Sequence, residues 1–405
     1  MKKLLLIIPL ILSVTSTFAE NSPLNIEIQT IIDSYLVKDG KKQNVTGIAV
    51  SISYPQNQEM IKQNFYTGKT SINTDATPIN DKTLFDIGSI TKSYVAAIML
   101  QLEAEGKLII NDPIGKWLPQ YPMWKDVTIK HLLNMSSGIP NYTANPKFLD
   151  YLSKNLTAEY SDEFLLTFAS PEKPITSGKT FEYSNTNYIL AGLIIEKITG
   201  KTFADVLQTR IIAPLELKNT FYPAGPNWKK ISDLIFPRKA RGYYYDKDNQ
   251  KLMDLTKYNL SSGGPTGGIV SNPSDQLKWV NALYKGTIFS EKMRSKLLSE
   301  LKSVISMKTG QPIQDVDKND PLAFGLGVLR IYENGQRFWA YKGSTLAYRM
   351  FYRLKPCNNT TLVVALNSQG NEDDANAATG ASIQKLSSDI YKKIIEVNPQ
   401  LDCHD

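Results

Sequence analysis

Stretches that read as strands gather at the two ends of this 405-residue chain, and helical stretches fill most of what lies between. Residues 47–54 and 59–68 alternate β-branched and aromatic side chains with polar ones, around a turn at 55–58. Residues 325–332, 336–341, 347–354 and 360–367 read the same way near the other end. Helices are expected over 128–135, 161–168, 186–199, 203–212, 274–284 and 290–301, interrupted by one hairpin at 241–255. A lone hairpin is barely stable in water, so strands from both ends should share one antiparallel sheet. Helices at 23–37 and 374–397 would flank it. The fold class is therefore α+β: an antiparallel sheet built from both termini with flanking helices, plus an inserted, mostly helical lobe. The expected organisation is a single domain over 20–405, with a sheet lobe at about 20–110 and 320–400 and a helical lobe at about 111–319.

Residues 1–19 read as a secretion signal. Lys2 and Lys3 form the charged start, 4–14 the apolar core, and Thr17-Phe18-Ala19 the small-residue cleavage site. The apolar run is too short to span a bilayer well, and no later run is longer. The mature protein should start near Glu20 and be secreted or periplasmic, with no stable membrane anchor. In an oxidising compartment Cys357 and Cys403 would pair, the alternative being two free thiols. The formal charge of +7 is spread along the sequence, with no basic block or zinc-finger spacing, so nucleic acid is not an expected partner. Composition leaves the oligomeric state open.

The most informative short stretch is 85–92, FDIGSITK, leading into the apolar run 93–102. On a helix, Ser89 and Lys92 lie one turn apart on one face. A serine hydroxyl becomes a good nucleophile when a base takes its proton, and a buried lysine can be that base. Alone, the same spacing also occurs as a helix cap followed by a solvated lysine. The other chemistries find less support. A Ser-His-Asp triad needs a histidine, and only His131 and His404 exist. Two histidines and two distant cysteines make no metal cluster, so neither metal nor cofactor is expected. The glycine-rich stretch 261–268 lacks the lysine and spacing of a phosphate loop and reads as a tight turn.

Several segments in order resemble the serine β-lactamases and penicillin-binding proteins, in the branch of class C β-lactamases, D-alanyl-D-alanine carboxypeptidases and β-lactamase-like esterases. Ser89-Ile90-Thr91-Lys92 resembles their S-x-x-K element. Residues 128–140 look like the helix and turn ending in S-G-L-P, Tyr183-Ser184-Asn185 resembles Y-x-N, and 267–271 with Asp275 resembles a further stretch. The resemblance spans roughly 25–395. It implies the β-lactamase/transpeptidase-like fold and an acyl-enzyme on Ser89. Lys92 and Tyr183 would exchange the proton, and Asn185 would donate to the substrate carbonyl. The substrate would be a small molecule or peptidoglycan peptide: a D-alanyl peptide, a β-lactam or a small ester. Where relatives carry K-T-G or H-x-G, this chain has Tyr341, Lys342, Gly343 and Ser344. Either Tyr341 faces the cleft or, with a bulge, Lys342 does. The Ser344 N–H would complete the oxyanion hole with that of Ser89. A relative that binds cell-wall peptide without turnover is the alternative reading.

Overall fold

The computed structural model describes residues 22–170, 175–246, 248–369 and 378–403. The leader expected over 1–19, the first residues of the helix expected from 374, and His404 lie outside the described residues. The strands in chain order are β1 Gly47–Gln56, β2 Glu59–Gly68, β3 Phe85–Asp86, β4 Tyr243–Asp246, β5 Lys251–Asp254 and β6 Val270–Ser271. They continue as β7 Ile305–Ser306, β8 Leu322–Phe324, β9 Leu329–Glu333, β10 Gln336–Ser344, β11 Arg349–Lys355 and β12 Thr360–Leu366. Eight of them form one antiparallel sheet in the order β2-β1-β12-β11-β10-β9-β8-β7. The first strands thus join the last ones, and Val50 on β1 stands opposite Phe65 on β2 and Val364 on β12. The α+β architecture expected from the sequence is the one observed.

The central strands are apolar on both faces because both faces are covered. On one face Ile48, Val50, Phe338, Phe351 and Val364 pack against Ile28 and Ile32 of α1 (Pro23–Tyr35) and against the closing helix Ala378–Val397. On the other, Ala49, Trp339, Tyr341, Tyr352 and Val363 join the large core with α2 (Thr91–Ala104) and the helix Pro273–Lys285. Helix α2 is buried on nearly every side, which its unbroken apolar run requires. Each large apolar side chain so buried contributes about 1.5–3 kcal/mol.

Three local features differ from the expectation. The stretch 325–332 is not one strand: β8 and β9 are separated by a turn through Gly327, whose φ is +68°. A β-carbon there would lie 2.7 Å from the Lys92 carbonyl oxygen, so the turn is pressed onto α2. The first hairpin turn shrinks to Asn57 (φ 49°) and Gln58 (φ 68°), both left-handed, which matches the twist of paired strands. Helices Pro146–Lys154 and Trp228–Ile235, only 9 and 8 residues long, were not expected. Cys357 and Cys403 are bonded, fixing the tail to the end of β11. Among the described residues no helix is long and apolar enough to cross a membrane.

Candidate active site

Helix α2 is entered through a 3₁₀ turn, Gly88–Ile90, and Ser89 stands in that turn. Gly88 has φ +51°, a left-handed conformation, and a β-carbon on it would fall 2.5 Å from the Ser344 nitrogen. Only glycine fits. Lys92 follows one turn later, fully buried, with Nζ 3.0 Å from Ser89 Oγ. Burial pulls its pKa below that of a free lysine, an effect that Tyr183 partly offsets. The amine also donates to the Thr266 carbonyl oxygen at 2.9 Å. The glycine-rich stretch read as a tight turn thus supplies a second fixed acceptor, which aims the amine at Ser89. Residue pattern could not reveal this, because the acceptor is backbone.

Tyr183 donates from its hydroxyl to Ser89 Oγ at 2.8 Å. The ring keeps an open side, 37% exposed, while the hydroxyl points inward, so the site is reachable from solvent. Burial pushes this phenol up, but the Lys92 charge and hydrogen bonding from its neighbours outweigh it and leave the pKa lowered. Lys92 Nζ lies 5.1 Å from the Tyr183 ring centroid and 5.6 Å from that of Tyr188.

The turn after α3 (Ile129–Leu133) holds this segment in place. Glu182 N–H donates to the Met135 carbonyl at 2.8 Å, and Gly178 N–H to that of Ser136 at 2.7 Å. Ser137 Oγ donates to Asn187 Oδ1 at 2.6 Å, and Thr186 Oγ1 to the Pro140 carbonyl at 2.6 Å. Met135 itself has φ 65°, unusual for a side chain of that size. His131 packs under Gly178, where a β-carbon would lie 3.0 Å from Nε2. Asn185 is less free than expected: Nδ2 donates to Thr143 Oγ1 at 2.9 Å, and its backbone N–H to Asn141 Oδ1 at 3.0 Å. Asn141 and Thr143 were missed in the sequence, where they look like ordinary turn residues after a proline.

Strand β10 closes the site. No bulge interrupts it, and Tyr341 pairs with Tyr352 in regular register. Tyr341 is buried in the core shared with α2, 5.8 Å from the Phe324 ring, which in turn meets Tyr183 edge-on at 6.4 Å. Its hydroxyl is buried without a fully formed hydrogen bond, yet it is near enough to Tyr183 to help lower that phenol. Lys342 stands on the opposite face with Ala340 and Phe351, where burial and the Arg349 charge lower its pKa. The expectation that Lys342 lines the site is therefore corrected: strand alternation turns it toward the terminal helices. Gly343 lets the backbones meet, since a β-carbon on it would lie 1.7 Å from the Ile87 carbonyl oxygen. Thr345 N–H donates to the Tyr348 carbonyl at 3.0 Å, so Ser344 opposite Arg349 is a non-hydrogen-bonded pair. Its N–H then points away from β11, and the Ser344 nitrogen lies against Gly88. Among the described residues no cluster of three or more metal-ligating side chains occurs.

Comparison with known proteins shows the family and the fold. The family model described as Beta-lactamase matches residues 32–385. A penicillin-binding protein of Bacillus subtilis (strain 168) is 29% identical over 241 residues, covering 56% of this chain and 51% of that protein. The teichoic acid D-alanine hydrolase of Staphylococcus aureus is 30% identical over 221 residues, covering 54% of this chain and 50% of that protein. The chain thus spans about half the length of the curated relatives it matches. Among solved structures, D-amino acid amidase from Ochrobactrum anthropi SV3 superposes with a TM-score of 0.74 at 24% identity, covering 93% of this chain and 100% of that one. A D-stereospecific amidohydrolase from Streptomyces sp. gives a TM-score of 0.69 at 22% identity, covering 85% and 94%.

Proposed function

Since the chain belongs to the Beta-lactamase family, a family with hydrolase members, we propose that it is an exported serine hydrolase that forms an acyl-enzyme on Ser89. The observation that carries this is the convergence of Lys92 Nζ at 3.0 Å and Tyr183 Oη at 2.8 Å on one serine oxygen. Lys92 and Tyr183 act as one proton acceptor. With the amine neutral, Lys92 offers a lone pair to Ser89; with the proton on the amine, the phenolate offers one. Ser89 Oγ attacks the substrate carbonyl and its proton passes to this pair. Ser89 and Ser344 N–H groups then receive the developing oxyanion. As the bond to the leaving group breaks, the pair returns the proton to it. Water repeats the sequence, and Ser89 recovers its proton as the acyl group departs.

The substrate reading is a D-alanyl or similar D-aminoacyl amide or ester that need not carry a carboxylate. Two observations support it. Tyr341 and Lys342 put a neutral phenol, not an ammonium, on the side of β10 that faces Ser89. The relatives also include a teichoic acid D-alanine hydrolase, and the fold neighbours D-amino acid amidases.

The test is labelling of the intact protein with a fluorophosphonate and with a fluorescent penicillin, followed by mass measurement. A single adduct lost in Ser89→Ala is expected. A wild type that takes no label would overturn the acyl-enzyme in favour of a protein that binds without turnover. D-alanyl p-nitroanilide against its L-isomer, nitrocefin and p-nitrophenyl butyrate then tests the substrate class; preference for the L-isomer would sink the D-aminoacyl reading.

A further inference from the structure

Asp86 ends β3, three residues before Ser89, and takes no part in the proton path. It is 1% exposed. Lys239 Nζ lies 2.7 Å from Oδ1, and the Thr345 hydroxyl donates to Oδ2 at 3.2 Å. A buried ion pair is a weak device for stability, because removing two charges from water offsets their attraction. The position of this one is more informative. Thr345 is the residue after Ser344, and it closes the β10–β11 turn. Its N–H donates to the Tyr348 carbonyl at 3.0 Å, and its hydroxyl accepts from Ala347 N–H at 3.4 Å. The ion pair is itself braced: Lys239 lies 4.7 Å from the Tyr348 ring centroid, and Phe85 meets that ring edge-on at 6.5 Å. Lys239 also donates to the Thr256 carbonyl at 3.2 Å.

The two donors expected to hold the oxyanion come from segments far apart in sequence. Gly88 packs against the Ser344 backbone and Gly343 against the Ile87 carbonyl, but close packing of this kind does not fix a direction. The Asp86–Thr345 hydrogen bond crosses the same seam and does. We propose that Asp86 is a positioning residue for the oxyanion hole, holding the Ser344 N–H in line with the Ser89 N–H through the Thr345 hydroxyl. This rests on the acyl-enzyme reading above. Misalignment on the ångström scale is enough to cost a large factor in rate.

The test compares Thr345→Val, which keeps the shape and removes the hydroxyl, with Thr345→Ser, which keeps the hydroxyl. Fluorophosphonate labelling rate, kcat and KM for p-nitrophenyl butyrate, and melting temperature are measured for each. Thr345→Val is expected to label about tenfold more slowly, with kcat lowered and KM little changed; melting falls slightly, from the hydrogen bond lost to a buried carboxylate, with the protein still folded at assay temperature. Thr345→Ser should stay near the wild type. Equal rates for Thr345→Val and wild type, or a Ser variant as slow as the Val variant, would overturn the proposal. A second pair guards against folding effects. In a Lys239→Met background, Asp86→Asn retains an oxygen for Thr345 and should label faster than Asp86→Leu; equal rates there would also overturn it. An unlabelled wild type would instead strike at the acyl-enzyme reading itself, so the two failures are distinguishable.

Discussion

Gly343 and Ile87 are in such close apposition that a β-carbon on the former would sit 1.7 Å from the carbonyl oxygen of the latter. That contact joins the last part of the sheet to the turn that carries Ser89. Gly343→Ala must push the two apart. The expected result is a loss of about 1–3 kcal/mol in stability from overpacking. Labelling of Ser89 should also fall by about 100-fold, from the displaced Ser344 N–H. Urea unfolding and fluorophosphonate kinetics measure the two effects; a variant with wild-type labelling would show that the seam tolerates a wider gap.

Lys92→Ala and Tyr183→Phe are each expected to lower acylation by about 100-fold, the usual scale for losing acid–base help. Because the two share one proton, the double variant should be little slower than either single one. Multiplicative losses in stopped-flow acylation would contradict a shared role.

Glu103 near the end of α2 and Glu300 in the helix Arg294–Leu301 share a half-buried site. Burial, then the hydrogen bond and charge of Glu103, raise the Glu300 pKa to about 7. Its folded value is thus above the unfolded value of about 4.3. The folded state holds an extra proton between these limits, so this contribution to stability is present below pH 4.3 and lost as pH rises through about 7. Glu300→Gln should therefore flatten the fall in melting temperature between about pH 5 and 7.5. Parallel melting curves for the two proteins across that range would refute the assignment.

The Cys357–Cys403 bond closes a loop with a sequence separation of 46. Replacing both by serine should cost about 2–4 kcal/mol in urea unfolding, with kcat unchanged, since neither cysteine touches the site. An unaltered unfolding midpoint would mean that the tail is held by its other contacts alone.

Much of this arrangement was legible in the sequence because it is local or periodic. Ser89 and Lys92 share a helix face, and helix Thr186–Thr199 announces itself by its apolar run and closing Gly200. The sheet built from both ends followed from where the strand-like stretches lie. What escaped depends on distant backbone. The Thr266 carbonyl that holds Lys92 has no side-chain signature, and the turn through Gly327 that separates β8 from β9 is pressed onto α2. The choice between Tyr341 and Lys342 hinged on register, which β11 pairing decides and a single strand cannot. Tyr183, the ordinary-looking tyrosine of a short loop, needed the resemblance to be singled out at all.

The strand order β2-β1-β12 has a consequence for biosynthesis. The first hairpin leaves the ribosome long before its neighbour on the other side, β12. Until then one long edge of β1 is bare. Such distant pairing makes for slow folding. A nascent chain stalled before β12 would carry its nucleophile in an unfinished cavity, and any exposed edge would be a target for chaperones or for sticking to another copy.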